Sequence, residues 1–263
     1  MKLWVALAFL FPLLSYAYIP PSKFIVNTIV TKRKALKVVE IHSRLSAWEG
    51  EKALEGALVN QTLALDVQRG ILRSLLTDSQ GLLLYSIERK MADWGPVSSL
   101  QLSPLHKEVA GTLRSYGIPI RTEDELALMK DEQERHASEV EFLSRWQGKI
   151  AWVMGAKKGG PQLWIEKETF LPLRLMVTKA GEAADVRFEN YRYYNDIPVA
   201  RLLTLVPAVG AKIIKEELID ISINPAAALP ELKGSPGHGW TEQGRAAPAP
   251  VREMIEAYYK TVR

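Results

Sequence analysis

The residues of this chain that could do chemistry are few and scattered. There are four histidines, His42, His106, His136 and His238. None stands in an HExxH or HxH frame, so a metal would have to gather ligands from distant segments. His42 alternates with apolar neighbours and reads as a sheet-surface side chain, and His238 lies in a glycine-rich stretch without a partner close in sequence. The absence of cysteine excludes disulfides, thiolate metal sites and cysteine nucleophiles. No serine sits in a GxSxG elbow. Gly155 to Gly160 contains Lys157 and Lys158 but lacks the P-loop frame, and it joins two strand patterns rather than a strand and a helix. Glu123 and Glu125 fall on a helix surface, where carboxylates are ordinarily solvated. Asn60-Gln61-Thr62 matches a glycosylation sequon inside a strand pattern. No catalytic set emerges, and neither a cofactor nor a metal is expected.

What the sequence offers instead is an address and an apolar framework. Lys2, the apolar run Leu3 to Leu14 and the small residues of Ser15-Tyr16-Ala17 form an export signal, with cleavage expected after Ala17. That run is shorter than the roughly 20 residues a spanning helix needs. Without cysteine the mature N-terminus cannot be lipidated, which points to a soluble periplasmic protein. The net charge of +4 and pI near 9.1 come from interspersed charges. Only Lys32-Arg33-Lys34 forms a basic cluster, so no nucleic-acid surface is expected; transient membrane contact is compatible with the address.

The framework is read from periodicity. Ser22 opens a helix over about 23–35. Strand alternation follows over 39–45, 54–67, 71–77 and 82–88, separated by short turns that force antiparallel pairing. Ser103-Pro104 begins a helix ending at Gly117, and Thr122 to Glu125 forms a capping box for a second, charged helix to about Arg135. Strand patterns return around Val140 to Arg145, then over 150–154, 162–166, 173–178, 185–194 and 212–223, with Gln147-Gly148 as a two-residue turn. The expected fold is mainly β, a curved antiparallel sheet of nine or ten strands with covering helices. Its domain spans 18–224, with a helical insertion at about 103–136. A Pro/Gly/Ala-rich linker over 225–250 leads to a short amphipathic helix over 251–263, expected to dock back on the domain. Leu82 to Ile87 and Ile150 to Met154 are apolar on both faces, so both sides of those strands must be covered.

Several blocks carry a resemblance. Gly148 to Ala156 is followed by Gln162-Leu163-Trp164-Ile165-Glu166-Lys167, then by Leu171-Pro172-Leu173-Arg174-Leu175, and then by Phe188-Glu189-Asn190-Tyr191. A Trp-Ile-x-Lys strand, a Leu-Pro-x-Arg bend and a strand closing in Phe-x-x-Tyr, over residues 22–223, resemble the LolA-like outer-membrane lipoprotein carrier and sorting family. The resemblance implies an incomplete barrel that binds acyl chains between sheet and helices, a non-enzymatic role in outer-membrane biogenesis, and lipid or lipoprotein partners. The same fold also serves envelope sensors and protein-interaction modules. Leu63, Leu84, Trp152, Met154, Leu163 and Ile165 are the expected lining of such a cavity. The family's lid-contacting arginine has no aligned counterpart here; Arg44 and Arg73 are the candidates.

Overall fold

The computed structural model of the chain describes residues 19–120, 141–157, 159–179, 182–207, 212–225, 239–242 and 247–263. The expected signal peptide, the helix expected after Thr122, His136 and His238 lie outside them. So does most of the expected linker.

Among the described residues twelve strands form one antiparallel sheet. The first meander is β1 (Val38–Glu49), β2 (Lys52–Asp66), β3 (Ile71–Thr77) and β4 (Leu83–Lys90). The second is β5 (Glu141–Trp146), β6 (Lys149–Gly155), β7 (Gln162–Glu166), β8 (Pro172–Lys179), β9 (Glu182–Tyr194), β10 (Ile197–Pro207) and β11 (Lys212–Ile223). β12 (Gly239–Glu242) adds to the edge of β4. Each meander pairs its strands in chain order, and β11 closes against β1 to give the order β12-β4-β3-β2-β1-β11-β10-β9-β8-β7-β6-β5. The β11–β1 ladder runs from Val39 opposite Ile223 to Glu49 opposite Lys212, with a bulge at His42/Ser43. The sheet is curved and open, with β12 and β5 at its edges.

Local chemistry accounts for the turns. Gln147 and Gly148 both take positive φ, 48° and 81°, as a two-residue hairpin whose twist matches its strands requires. Asn195 and Asp196 do the same between β9 and β10. The sheet has two more strands than the upper expectation. β10 was hidden by Pro198 and by a run, Ile197 to Ala200, that is buried on both faces and so does not alternate. β12 lies inside the stretch read as linker.

Among the described residues four α-helices cover the sheet: α1 (Ser22–Thr31), α2 (Pro96–Leu102), α3 (His106–Ser115) and α4 (Ala249–Thr261). All seven residues of α2 are buried. Sequence reading placed a helix start at Ser103-Pro104; instead α2 ends there and α3 begins at His106. α1 reaches the far meander, where Ser22 N donates to Glu141 Oε1 (3.2 Å) and Lys32 Nζ bonds the Thr169 carbonyl.

The strands apolar on both sides are explained in part by a second cluster. Ala151, Val153, Trp164 and Leu173 are buried on the outer face of β6–β8, against Phe142 and Trp146. The Arg174 guanidinium lies 4.3 Å from the Trp146 ring centroid and is held by Asp185 at 2.8 and 3.0 Å.

The β7–β8 turn carries a pH prediction. Burial works to raise the Glu166 carboxyl, but the Thr169 hydroxyl (2.5 Å) and Lys149 (3.0 Å) outweigh it and hold it below its ordinary value of 4.5. A depressed carboxylate contributes stability that is present above its unfolded value and lost as pH falls through the folded one. Thermal unfolding of a Glu166→Gln chain should therefore fall less steeply than wild type below pH 4.5, and match its slope near neutrality.

Candidate functional site

Alternate residues of a strand share a face, and on the concave face that rule produces three bands. One is apolar: Leu45 and Ala47 of β1, Val59 of β2, Leu76 of β3 and Ile214 of β11 join residues of β4 and β6–β10 and all four helices in a single cluster. Another apolar band lies further along the same strands, with Val39 and Ile41, Leu63 and Leu65, Leu72, and Leu218 and Ile221, packed with Trp94 and Leu102. Between them runs a polar belt made of Ser43, Gln61, Ser74 and Glu216, one from each of β1, β2, β3 and β11. All four are buried, Glu216 at 4% exposure.

Five of the six expected lining residues, Leu84, Trp152, Met154, Leu163 and Ile165, fall in the first band. Leu84 is the extra residue at the bulge where β4 slips against β3. Leu63 falls in the second band, beyond the belt. Neither candidate arginine joins them. Arg44 is exposed, and Arg73 pairs with Glu88 on the opposite face of β3.

The concave face is occupied by α4. Val251, Met254, Ile255, Tyr258, Tyr259 and Val262 recur at helical spacing and are buried, while Arg252, Glu253, Glu256 and Lys260 are exposed. The helix thus docks back on the strands that carry the belt, β2, β3 and β11. Its polar groups meet the belt. Glu216 Oε1 accepts from Ser43 Oγ (2.9 Å), Gln61 Nε2 (3.0 Å) and Arg263 Nη2 (2.5 Å), and Oε2 accepts from the Tyr258 hydroxyl. The Tyr259 hydroxyl donates to Gln61 Oε1 (2.7 Å) and is bonded to the Ser74 hydroxyl. Burial pushes the Tyr258 and Tyr259 hydroxyls up, so both remain neutral donors. Burial opposes the charge of Arg263, but Glu216 outweighs it and the guanidinium sits above its ordinary value. The chain beyond α4 is pinned to the start of α2: Gly95 N and Arg89 Nη1 each donate to the Arg263 carbonyl at 2.8 Å, and Ser98 N donates to the Val262 carbonyl at 3.1 Å.

Beside that anchor is a polar cavity of about 480 Å³, lined by Arg89, Asp93, Trp94, Glu108, Thr112 and Tyr116. The two histidines among the described residues stay apart. His42 bonds Thr62 Oγ1 (3.2 Å) and pairs with Glu40 (3.4 Å). Burial, with Lys23 and Arg114 nearby, lowers the pKa of His106.

Arg33, just past α1, was read only as part of a basic cluster. It is 1% exposed, and its Nε and Nη1 have no hydrogen-bond partner among the described residues. Burial lowers its pKa to about 10, with Tyr191 opposing. A base whose folded value is depressed costs stability at every pH below that value. An Arg33→Met chain should gain about 1–2 kcal/mol in urea unfolding at neutral pH; a loss would show that the guanidinium is compensated.

No protein-family model matches the chain, and no curated protein matches it. Three solved structures are similar to it over most of their length. A putative outer membrane lipoprotein-sorting protein domain from Vibrio parahaemolyticus is 11% identical, with 78% of this chain and 93% of that one covered and a TM-score of 0.46. A LolA superfamily protein from Nitrosomonas europaea is 10% identical, with 78% and 95% covered and a TM-score of 0.46. A DUF1329 family protein from Desulfovibrio piger is 10% identical, with 80% and 96% covered and a TM-score of 0.44.

Proposed function

We propose that this chain is a non-enzymatic binding protein of the bacterial envelope whose concave face holds an elongated apolar or amphipathic guest. The observation that carries this reading is the occupant of that face. α4 is no part of the sheet, yet its apolar side packs on β2 and β11 and joins the same continuous cluster as Leu84, Trp152, Met154, Leu163 and Ile165. A face that accepts one amphipathic segment across its strands presents the surface another would use. An acyl chain of a lipid or lipoprotein is one guest of that shape, gaining about 0.8 kcal/mol per methylene removed from water. A helix of an envelope protein is the other.

Titration of the full chain with a dansylated fatty acid tests the first guest. Fluorescence enhancement that strengthens in an Ile255→Ala chain, where apolar space is opened under α4, supports binding at this face. No enhancement with either chain would count against acyl binding.

A further inference from the structure

The belt restricts what can replace α4. Glu216 Oε1 has partners from both sides, Ser43 and Gln61 from the sheet and Arg263 from beyond the helix. Oε2 accepts from the Tyr258 hydroxyl, on the helix itself. The carboxylate is fixed in position by the sheet and neutralised by the occupant. Apolar side chains lie on both sides of it: Leu45 and Ile214 on one, Ile41 and Leu218 on the other. A guest without a positive charge would leave a buried carboxylate unpaired, and one without donors would also leave Oε2 and Gln61 Oε1 unsatisfied. An acyl chain has neither.

We propose that the concave face recognises a cationic amphipathic helix, with Glu216 as the residue that selects its charge. This rests on the reading of that face as the binding face. The fitting guest carries apolar residues at the spacing of Val251, Met254, Ile255, Tyr258 and Val262, and an Arg or Lys directly after the last of them, where Arg263 lies. The resident α4 competes with it as a tethered copy, joined to β12 through residues 243–248.

Gly95 provides a way to loosen the resident helix without altering the belt. A Cβ placed there would meet the Val262 carbonyl carbon at 2.8 Å and Arg263 N at 2.9 Å, both backbone atoms. The test uses fluorescence anisotropy with a labelled synthetic peptide of residues 248–263, the same peptide carrying Arg263→Met, and a dansylated fatty acid. Each is titrated into the full chain, a Gly95→Ala chain and a Gly95→Ala/Glu216→Gln chain. The wild-type peptide should bind Gly95→Ala at least about tenfold more tightly than it binds the unaltered chain. The Arg263→Met peptide on Gly95→Ala, and the wild-type peptide on the Glu216→Gln chain, should each bind at least about tenfold more weakly.

Equal affinity for the Arg263→Met peptide, or full affinity in Glu216→Gln, would overturn the charge selection. Fatty-acid binding at the strength of the wild-type peptide would overturn it as well, while leaving the binding face standing. Failure of all three probes on a folded Gly95→Ala chain would remove the binding face itself. Should that chain not fold, hydrogen exchange of the unaltered chain in excess peptide decides: α4 amides should lose protection with the wild-type peptide and keep it with Arg263→Met. The reverse, or no difference between the two peptides, overturns the proposal.

Discussion

A Glu216→Ala chain is expected to lose about 3–5 kcal/mol in urea unfolding, because Arg263 would be left as a buried charge without its carboxylate. The side chains of Arg263 and Glu216 are 2% and 5% exposed, so water cannot replace the lost partner in place. The Ser43 hydroxyl would lose its acceptor, and Gln61 Nε2 would keep only Ser43 Oγ. The pair as a whole need not stabilise the fold, since desolvating two charges offsets most of their attraction. Replacing both, as in Glu216→Leu/Arg263→Met, should therefore bring stability back to within about 1–2 kcal/mol of wild type. A single variant costing less than about 1 kcal/mol would show that the pair is hydrated in solution.

An Ile255→Ala chain is expected to lose about 2–5 kcal/mol, the range for a large apolar side chain truncated in a core that cannot collapse around it. Ile255 has no exposure and faces the sheet from the middle of α4. Loss near the upper end means that a cavity persists between helix and sheet; an apolar cavity of that kind stays dry and takes up small hydrocarbons. Calorimetric unfolding with and without a short alkane should then show ligand-dependent stabilisation in Ile255→Ala that is absent from wild type. A loss below about 1 kcal/mol would mean that α4 rests loosely on the concave face.

Much of the sheet could be read from alternation alone, because β1–β3 and β11 are buried mainly on one side and their polar positions fall in register. β10 could not, since Ile197 to Ala200 are all buried and Pro198 argues against a strand. α2 was hidden for a related reason: a helix with every residue buried has no amphipathic pattern to show. The belt leaves a trace in the sequence. Ser43, Gln61, Ser74 and Glu216 each occupy the inward position of a strand whose neighbours two residues away are apolar. Polar residues at core positions on four strands predict a buried network and a partner able to satisfy it. That the partner is α4 was beyond periodicity, because the contact joins residues such as Gln61 and Tyr259 that lie 198 positions apart.

Native-state hydrogen exchange addresses most directly whether the concave face is a site that α4 can vacate. The amides of α4 should open as a unit, at a free energy and denaturant sensitivity clearly below those of β1 and β2, and should open further when a guest is bound. Exchange of α4 and of those central strands through one shared global transition, unchanged by any guest, would mean that the helix is a permanent part of the core and that the face is closed to guests.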